Sequence, residues 1–343
     1  MAVTLRDVAA RAGVSPVVVS RVLHNKAQAI RVSDATAERV RQAAEELGYR
    51  CNVAARNFRA QQTMTIGILH GSGFARPKLN EGSRYFACLM DGLIEGAFRN
   101  GYSVTLCPQL LSDAPESAMG DGRFDGLVWY SSVSSDANLG ALARCSVPLV
   151  LIHSRTAQFG SRHSAVLCDN EQGIGGAVEH LVELGHRRLA FAMDVSPLNL
   201  ESLDRLAVFR RHCALHGIET GDRDVLEVGW DRREVDSYFR GGLRHTALIA
   251  HNDGLAAEFL NRAKDFDIDV PGQFSIVGFD STSFCDELRP TLTSISQPLR
   301  EMGECAIDFL VRTIQGELPE PVEQIFPCGL DIRESTAIVG DRT

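Results

Sequence analysis

Ten cationic side chains, Arg6, Arg11, Arg21, Lys26, Arg31, Arg39, Arg41, Arg50, Arg56 and Arg59, stand in the first 62 residues against five carboxylates. That segment carries +5 on a chain whose formal total is −9, so the remaining residues carry −14. Cations gathered in this way neutralise phosphate and release its condensed counterions, while the acidic remainder is repelled by the same backbone. A solvated basic cap on a helical domain would show the same charge and needs no nucleic acid. Metal and catalytic chemistry have thinner support. His212 and His216 lie four apart, a spacing that puts two imidazoles on one helix face, but no Glu follows His212 and a partly solvated face explains the pair. Gly71-Ser72-Gly73 begins like a dinucleotide loop, yet Arg76 stands where the third glycine belongs, which favours a simple turn. The sequence has neither a P-loop nor a Gly-x-Ser-x-Gly elbow, so no catalytic residue, metal or cofactor is assigned.

The cationic residues need elements that aim them. Thr4-Leu5-Arg6-Asp7 has capping-box spacing and opens a helix whose Leu5, Val8, Ala9 and Ala12 share one face, with Gly13 as its stop. Ser15 caps a second helix with Pro16 at its first position, where a missing N–H is no loss. The short Gly13-Val14 connection fixes the two helices at an angle and presents the start of the second to a major groove, as a helix–turn–helix does. Ser33 caps a third helix running to Leu47, with Ala37, Val40, Ala44 and Leu47 inward and Gly48 as the stop. Three short helices around one small core make a DNA-binding headpiece the economical reading. Pro16, Val17 and Val18 form the tip of the second helix. An isopropyl group meets a thymine methyl but makes no bidentate pair with guanine or adenine, so base readout falls to Ser20, Arg21 and His24, Arg21 first. Val19, Val22 and Leu23 are expected to pack inside.

From Met64 onward apolar strand-like runs alternate with helical stretches: 65–70, 84–100, 102–107, 126–130, 149–153, 165–168, 171–184, 189–193, 203–216, 225–228, 247–250, 254–264 and 275–279. This alternation predicts α/β architecture with parallel sheets, and about 280 residues of it suit two doubly wound lobes better than one core. Ligands of such folds bind beyond the carboxyl ends of strands. Nine cysteines, at 51, 88, 107, 145, 168, 213, 285, 305 and 328, form no Cys-x-x-Cys pair and read as reduced core thiols in apolar surroundings of a cytoplasmic protein. No secretion signal precedes Thr4 and no apolar run reaches the roughly 18 residues of a membrane span, which disfavours a secreted binding protein and a membrane partner.

Several segments resemble the LacI/GalR (lactose-repressor) family of bacterial transcription regulators. They are Val3-Thr-Leu-Arg-Asp-Val-Ala-Ala-Arg-Ala-Gly-Val-Ser15, Val19-Ser-Arg-Val-Leu23, Leu47-Gly-Tyr49 and Asn52-Val-Ala-Ala-Arg56. Asp169-Asn170, His180 to His186, Arg205, Asn252-Asp253 and Val277-Gly-Phe-Asp280 continue the similarity through the body. The resemblance implies a helix–turn–helix headpiece over 1–50, a hinge helix over 51–62 and a two-lobed effector-binding and dimerisation body over 63–343. That body would have a type I periplasmic-binding-protein-like fold, with the chain crossing between lobes near Cys168, Ser296 and Phe326. It also implies a homodimer on a palindromic double-stranded operator, contacted by Thr4, Ser15 and the second helix. In the hinge, Asn52 to Gln61, Phe58 stands where relatives usually have Leu and would wedge a base step, beside Ala55, while Arg56 and Arg59 neutralise phosphate. Cys51 replaces a frequent Pro at the hinge entrance, and Val18 a common Thr.

The effector site implied by the same resemblance comprises Gly71, Tyr130, His153, Cys168, Arg205, Trp230, Asn252, Asp280 and Leu299. Arg205, Asn252 and Asp280 would hydrogen-bond the ligand and Trp230 would cover it, which suits a carbohydrate first and a purine or nucleoside second. His153, Tyr130, Cys168 and Leu299 depart from the family's usual residues, which points to an unusual sugar or a non-sugar ligand. Asn252 and Asp280 could instead simply cap turns after strands. The expected function is a regulator, a repressor, whose DNA affinity a small molecule sets. A pure ligand-binding protein is the rival class, and an enzyme a distant third.

Overall fold

The structure, a computed structural model, describes residues 3–24, 32–50, 62–70, 84–107, 119–120, 122–130, 140, 142–156, 162–195, 200–229 and 231–340. The chain divides into two compact units, 1–63 and 64–343. In the first, α1 (Leu5–Ala12) begins at a capping box: the Thr4 hydroxyl accepts from the Asp7 amide, and the Asp7 carboxylate accepts from the Thr4 amide. It ends at Gly13, whose φ of 66° is a left-handed cap that glycine adopts freely. Helix α2 (Pro16–His24) starts at Ser15, whose Oγ accepts from the Val18 amide at 3.4 Å, and α3 (Asp34–Glu46) at Ser33, whose side chain accepts from the Thr36 amide. Val8, Ala9, Ala12, Val19, Val40, Ala43 and Ala44 form the core of this unit, with Leu5, Val22, Leu23 and Leu47 packed against it. Ala37 is only half-buried, and Ala43 takes an inward place that the sequence reading did not give it.

The second unit holds two sheets. The first, of six strands among the described residues, runs β2-β1-β3-β4-β5-β11 with strands Thr65–His70, Ser103–Cys107, Gly126–Tyr130, Leu149–Ile152, Ser164–Cys168 and Glu323–Phe326 numbered β1 to β5 and β11. The other runs β7-β6-β8-β9-β10-β12, with β6 Leu189–Asp194, β7 Val225–Val228, β8 Ala247–Ala250, β9 Ser275–Asp280, β10 Thr293–Ser296 and β12 Gly329–Asp331. All pairings are parallel except β10 with β12. Strands β3, β4, β8 and β9 are buried along their whole length, which is why they read as unbroken apolar runs rather than alternating ones. Helices α4 (Tyr85–Arg99) and α9 (Leu299–Ile314) belong with the first sheet; α5 (Asn170–Glu183), α6 (Leu200–Leu215), α7 (Arg233–Arg240) and α8 (Asp253–Asp265) belong with the second. A Cβ on Gly92 would stand 2.0 Å from the Arg300 carbonyl oxygen, and one on Gly303 2.7 Å from that of Leu89. Only glycine therefore lets α4 and α9 approach backbone to backbone.

The chain passes from the first sheet to the second after Cys168, returns after Ser296 through α9, and leaves again after Phe326, at the three places the family resemblance implies. Helix α7 was not foreseen, because Arg-Glu-Val-Asp-Ser-Tyr-Phe-Arg is short and polar and buries only Val235, Tyr238 and Phe239. The alternation traced in the sequence also stopped at Phe279, before β10, α9 and the largely exposed β11 and β12. The picture of the cysteines as thiols in apolar cores needs correction. Cys88, Cys145 and Cys305 are only half-buried, and the buried Cys168 and Cys285 face polar partners. Among the described residues no helix is long and apolar enough to cross a membrane.

Candidate functional site

In the headpiece, capping chemistry and an exposed helix start fix what α2 presents. Pro16 and Val17 are exposed, Val17 at 64 %, while Val18, Ser20 and Arg21 are half-buried and Val19 is enclosed. Thr4 and Ser15 are exposed and their hydroxyls serve the helix starts, Thr4 Oγ1 donating to Asp7 Oδ2 at 2.7 Å. His24 is the last residue of α2. Part of the positive charge is offset locally, since Arg11 pairs with Glu46 at 2.5 Å and Arg41 with Glu38 at 3.1 Å. Asn52, Ala55, Arg56, Phe58 and Arg59 lie outside the described residues, as do Gly71 and Trp230.

In the body, the carboxyl ends of strands from both sheets bring polar groups together around Arg205. This residue projects from α6 and is buried. Its Nε donates to Asn170 Oδ1 at 3.1 Å, its Nη1 donates to the His251 carbonyl at 2.5 Å, its Nη2 lies 3.8 Å from Glu201 Oε2, and its guanidinium lies 3.5 Å from the centre of the Phe279 ring. Asn170 in turn donates to Glu201 at 3.0 Å and to Asp204 at 2.7 Å. On the side of the first sheet, His153 follows β4 with φ of 59°, and its Nδ1 lies 4.0 Å from both Cys168 Sγ and Glu201 Oε2. Tyr130 ends β3 and stacks on Phe86 at 5.1 Å. On the side of the second sheet, Asp280 ends β9 with φ of 123° and accepts from Gln297 Nε2 at 2.7 Å. His153, Asp280 and Ser281 thus hold positive φ at or just past strand ends, strain of about 1–3 kcal/mol each that accumulates at functional sites.

Asn252 caps α8, its Oδ1 accepting from the Leu255 amide at 2.8 Å, so that acceptor has a helix to serve whatever else the residue does. Leu299 opens α9 and is buried, its amide bonded to the Gln297 carbonyl. His251 bridges Ser202 at 2.7 Å and Asp194 at 3.1 Å, and Arg232 pairs with Asp194. His212 engages Glu171 at 2.7 Å on the helix surface.

The electrostatics follow from burial. Desolvation raises the Glu201 carboxyl above its ordinary range although Arg205 opposes the shift. Burial alone would also raise Asp194, but the hydrogen bond from His251 and the charge of Arg232 bring it below. Desolvation, then the nearby Asp280 carboxylate, with Tyr130 and Cys168 adding to them, hold the Tyr85 hydroxyl well above its usual value. Asn170, Glu201, Asp204, His251, Gln297, Tyr85 and Cys328 complete the cluster and were not singled out as site residues from sequence. The Asp169-Asn170 pair was the one signal that pointed to any of them. A separate cavity of about 340 Å³, lined by Cys145 to Leu149, Arg162 to Ser164, Thr313 and Leu318 to Pro321, opens at the amino ends of β4 and β5, away from this cluster.

Comparison with known proteins gives two family matches. Residues 4–52 match "Bacterial regulatory proteins, lacI family", and residues 178–336 match "Periplasmic binding protein-like domain". The chain is 31 % identical over 329 residues to the HTH-type transcriptional regulator AscG of Escherichia coli K12, covering 91 % of this chain and 92 % of that one. Among solved structures, the Lac repressor dimer bound to operator and the anti-inducer ONPF matches with a TM-score of 0.83 and 25 % identity, over 98 % of this chain and 100 % of the other. The transcriptional regulator CelR in complex with cellobiose matches with a TM-score of 0.71 and 26 % identity, over 97 % and 99 %.

Proposed function

This chain belongs to the lacI family of DNA-binding transcriptional regulators, with an effector-binding, periplasmic-binding-protein-like body, and from that premise we propose that it is a cytoplasmic, homodimeric repressor of a palindromic operator controlled by a carbohydrate. It is a regulator and not an enzyme. Ser20, Arg21 and His24 read bases, Val17 and Val18 meet thymine methyls, and Phe58 wedges the minor groove between Arg56 and Arg59. Arg205, Asp280, Asn252, His153, Tyr130, Cys168 and Leu299, with Gly71 and Trp230, surround the effector.

One observation carries the ligand assignment. His153 Nε2 and Gln297 Oε1 are buried and lack a hydrogen-bond partner among the described residues, and both belong to the cluster around Arg205 and Asp280. Buried polar atoms are almost always paired, so such orphans mark where a ligand's groups belong, and several hydroxyls on one small molecule would serve both. Resemblance to the cellobiose complex favours a sugar over a purine. A ligand that prefers one lobe arrangement shifts the subunit interface and the hinge helices with it, and a coupling of about 1–3 kcal/mol changes operator affinity roughly five- to 150-fold.

A thermal-shift panel of sugars, sugar phosphates, nucleosides and purines tests this. A bound sugar at about 100 times its dissociation constant should stabilise by about 2.7 kcal/mol. A response to purines alone would replace the carbohydrate, and a silent panel would remove an organic effector of these classes. For the DNA arm, Phe58→Ala should weaken binding to a palindrome selected by the wild-type protein while leaving effector affinity intact. Equal operator affinity in that variant would refute the wedge.

A further inference from the structure

Two of the side chains that depart from the family pattern, His153 and Cys168, form a ligand set with Glu201. His153 Nδ1, Cys168 Sγ and Glu201 Oε2 all lie within 4.8 Å of one another. His153 is only 5 % exposed, and Cys168 is buried as well. Cys328, also buried, stands between β11 and β12 at the third crossing, near Cys168. We propose that His153, Cys168 and Glu201 bind a thiophilic divalent ion of the zinc class inside the effector cleft, with its fourth position left open to an effector oxygen. This rests on the reading of that cleft as the effector site and names a second effector for it.

Tetrahedral zinc with bonds of about 2.0–2.3 Å sets ligand-to-ligand edges of about 3.4–3.6 Å. The 4.0 Å separations from His153 to Cys168 and to Glu201 therefore need to close by about half an ångström, and the Cys168–Glu201 separation, within 4.8 Å, by up to roughly 1.2 Å. Sulfur and imidazole donors select zinc-like ions and reject magnesium and calcium, which take oxygen. The Cys168 thiolate and the Glu201 carboxylate sum to two negative charges, which a divalent ion neutralises, with Arg205 3.8 Å from Glu201. Coordination through Nδ1 places the imidazole proton on Nε2, the atom that lacks a partner, and turns it into a donor for a ligand oxygen. Asp280 and Gln297 stay outside the set. His153 and Cys168 belong to the first sheet's side, with Cys168 at the first crossing, and Glu201 to α6 on the second's, so the ion ties the lobes together and biases their arrangement.

The test uses the full-length protein, reduced and stripped with a chelator, titrated with Co²⁺ as the spectroscopic probe. One equivalent per chain should bind with a near-ultraviolet thiolate-to-cobalt charge-transfer band and tetrahedral visible bands, all displaced by Zn²⁺ and untouched by Mg²⁺. Competition with a chromophoric chelator should show Cys168→Ser and His153→Gln weakening Zn²⁺ at least about 100-fold, beyond what loss of a mere supporting contact brings. Zn²⁺ should also change affinity for the selected palindrome roughly five- to 150-fold. Co²⁺ binding without a charge-transfer band, or unchanged Zn²⁺ affinity in Cys168→Ser, overturns the site. The wild-type spectrum decides even if a variant fails to fold. Operator binding and the organic panel, repeated in chelator, report on the effector reading separately, since they persist if only the metal site is wrong.

Discussion

Replacing Arg205 with alanine should lower the free energy of unfolding of the body by about 3–5 kcal/mol and abolish the response to any effector that binds the cleft. The size follows from what the guanidinium holds. It is buried, it donates to Asn170 and to the His251 carbonyl, it lies 3.8 Å from Glu201, and it covers the Phe279 ring. Alanine leaves the Glu201 carboxylate, already disfavoured by desolvation, without its cation and leaves a carbonyl without its donor. Asn170, whose amide spans Glu201 and Asp204, loses the donor that fixes its orientation. Arg205→Lys should recover only part of the loss, because an ammonium keeps the charge but not the planar fork or the stacking. Chemical denaturation checks the first claim and the thermal-shift panel the second. An unchanged denaturation midpoint for Arg205→Ala would show that the network does not depend on this residue.

The sequence made the frame of this site legible and left much of its wiring hidden, for identifiable reasons. Capping residues announce themselves locally, so Thr4, Ser15 and Ser33 located the headpiece helices. Buried parallel strands are runs of apolar residues, so Gly126–Tyr130 and Ala247–Ala250 were placed to the residue. Arg205 was legible through resemblance alone, and the structure gives it partners 35 and 46 residues away that no local pattern predicts. Glu201 lies one helical turn before Arg205, a spacing that usually marks an exposed pair on a helix surface. Cys328 looked like a core thiol because its neighbour Cys168 is 160 positions earlier and reaches it only through the pairing of β11 with β5. Sequence separation hid these contacts, and the topology of crossings between sheets created them.

The same topology explains why stability in the second lobe should depend on one carboxyl. Asp253 is fully buried at the start of α8, where its Oδ1 accepts from Ser294 Oγ at 2.5 Å and its Oδ2 from the Cys285 thiol at 3.1 Å, with the Ser281 and Thr282 amides adding to them. Desolvation outweighs these donors and raises its pKa from 3.8 to about 6. A folded-state pKa above the unfolded one contributes stability that is complete below about pH 4 and is lost as pH rises through about 6. At about 1.4 kcal/mol per unit this amounts to roughly 3 kcal/mol. Because other groups titrate in the same window, the quantity to measure is the stability of the wild type minus that of Asp253→Asn. That difference should fall by about 2.5 kcal/mol between pH 4 and pH 7, and a flat difference would rule out the raised pKa. The consequence reaches the effector cleft, since Ser281 and Thr282 follow Asp280 directly and the Ser281 amide also bonds to Ser294 Oγ at 3.1 Å. Ionised Asp253 grips that turn with charge-assisted bonds and protonated Asp253 grips it more weakly. Acidification toward pH 5 should therefore stabilise the fold relative to the asparagine variant while loosening the positive-φ turn that aims Asp280, so effector affinity and stability should move in opposite directions.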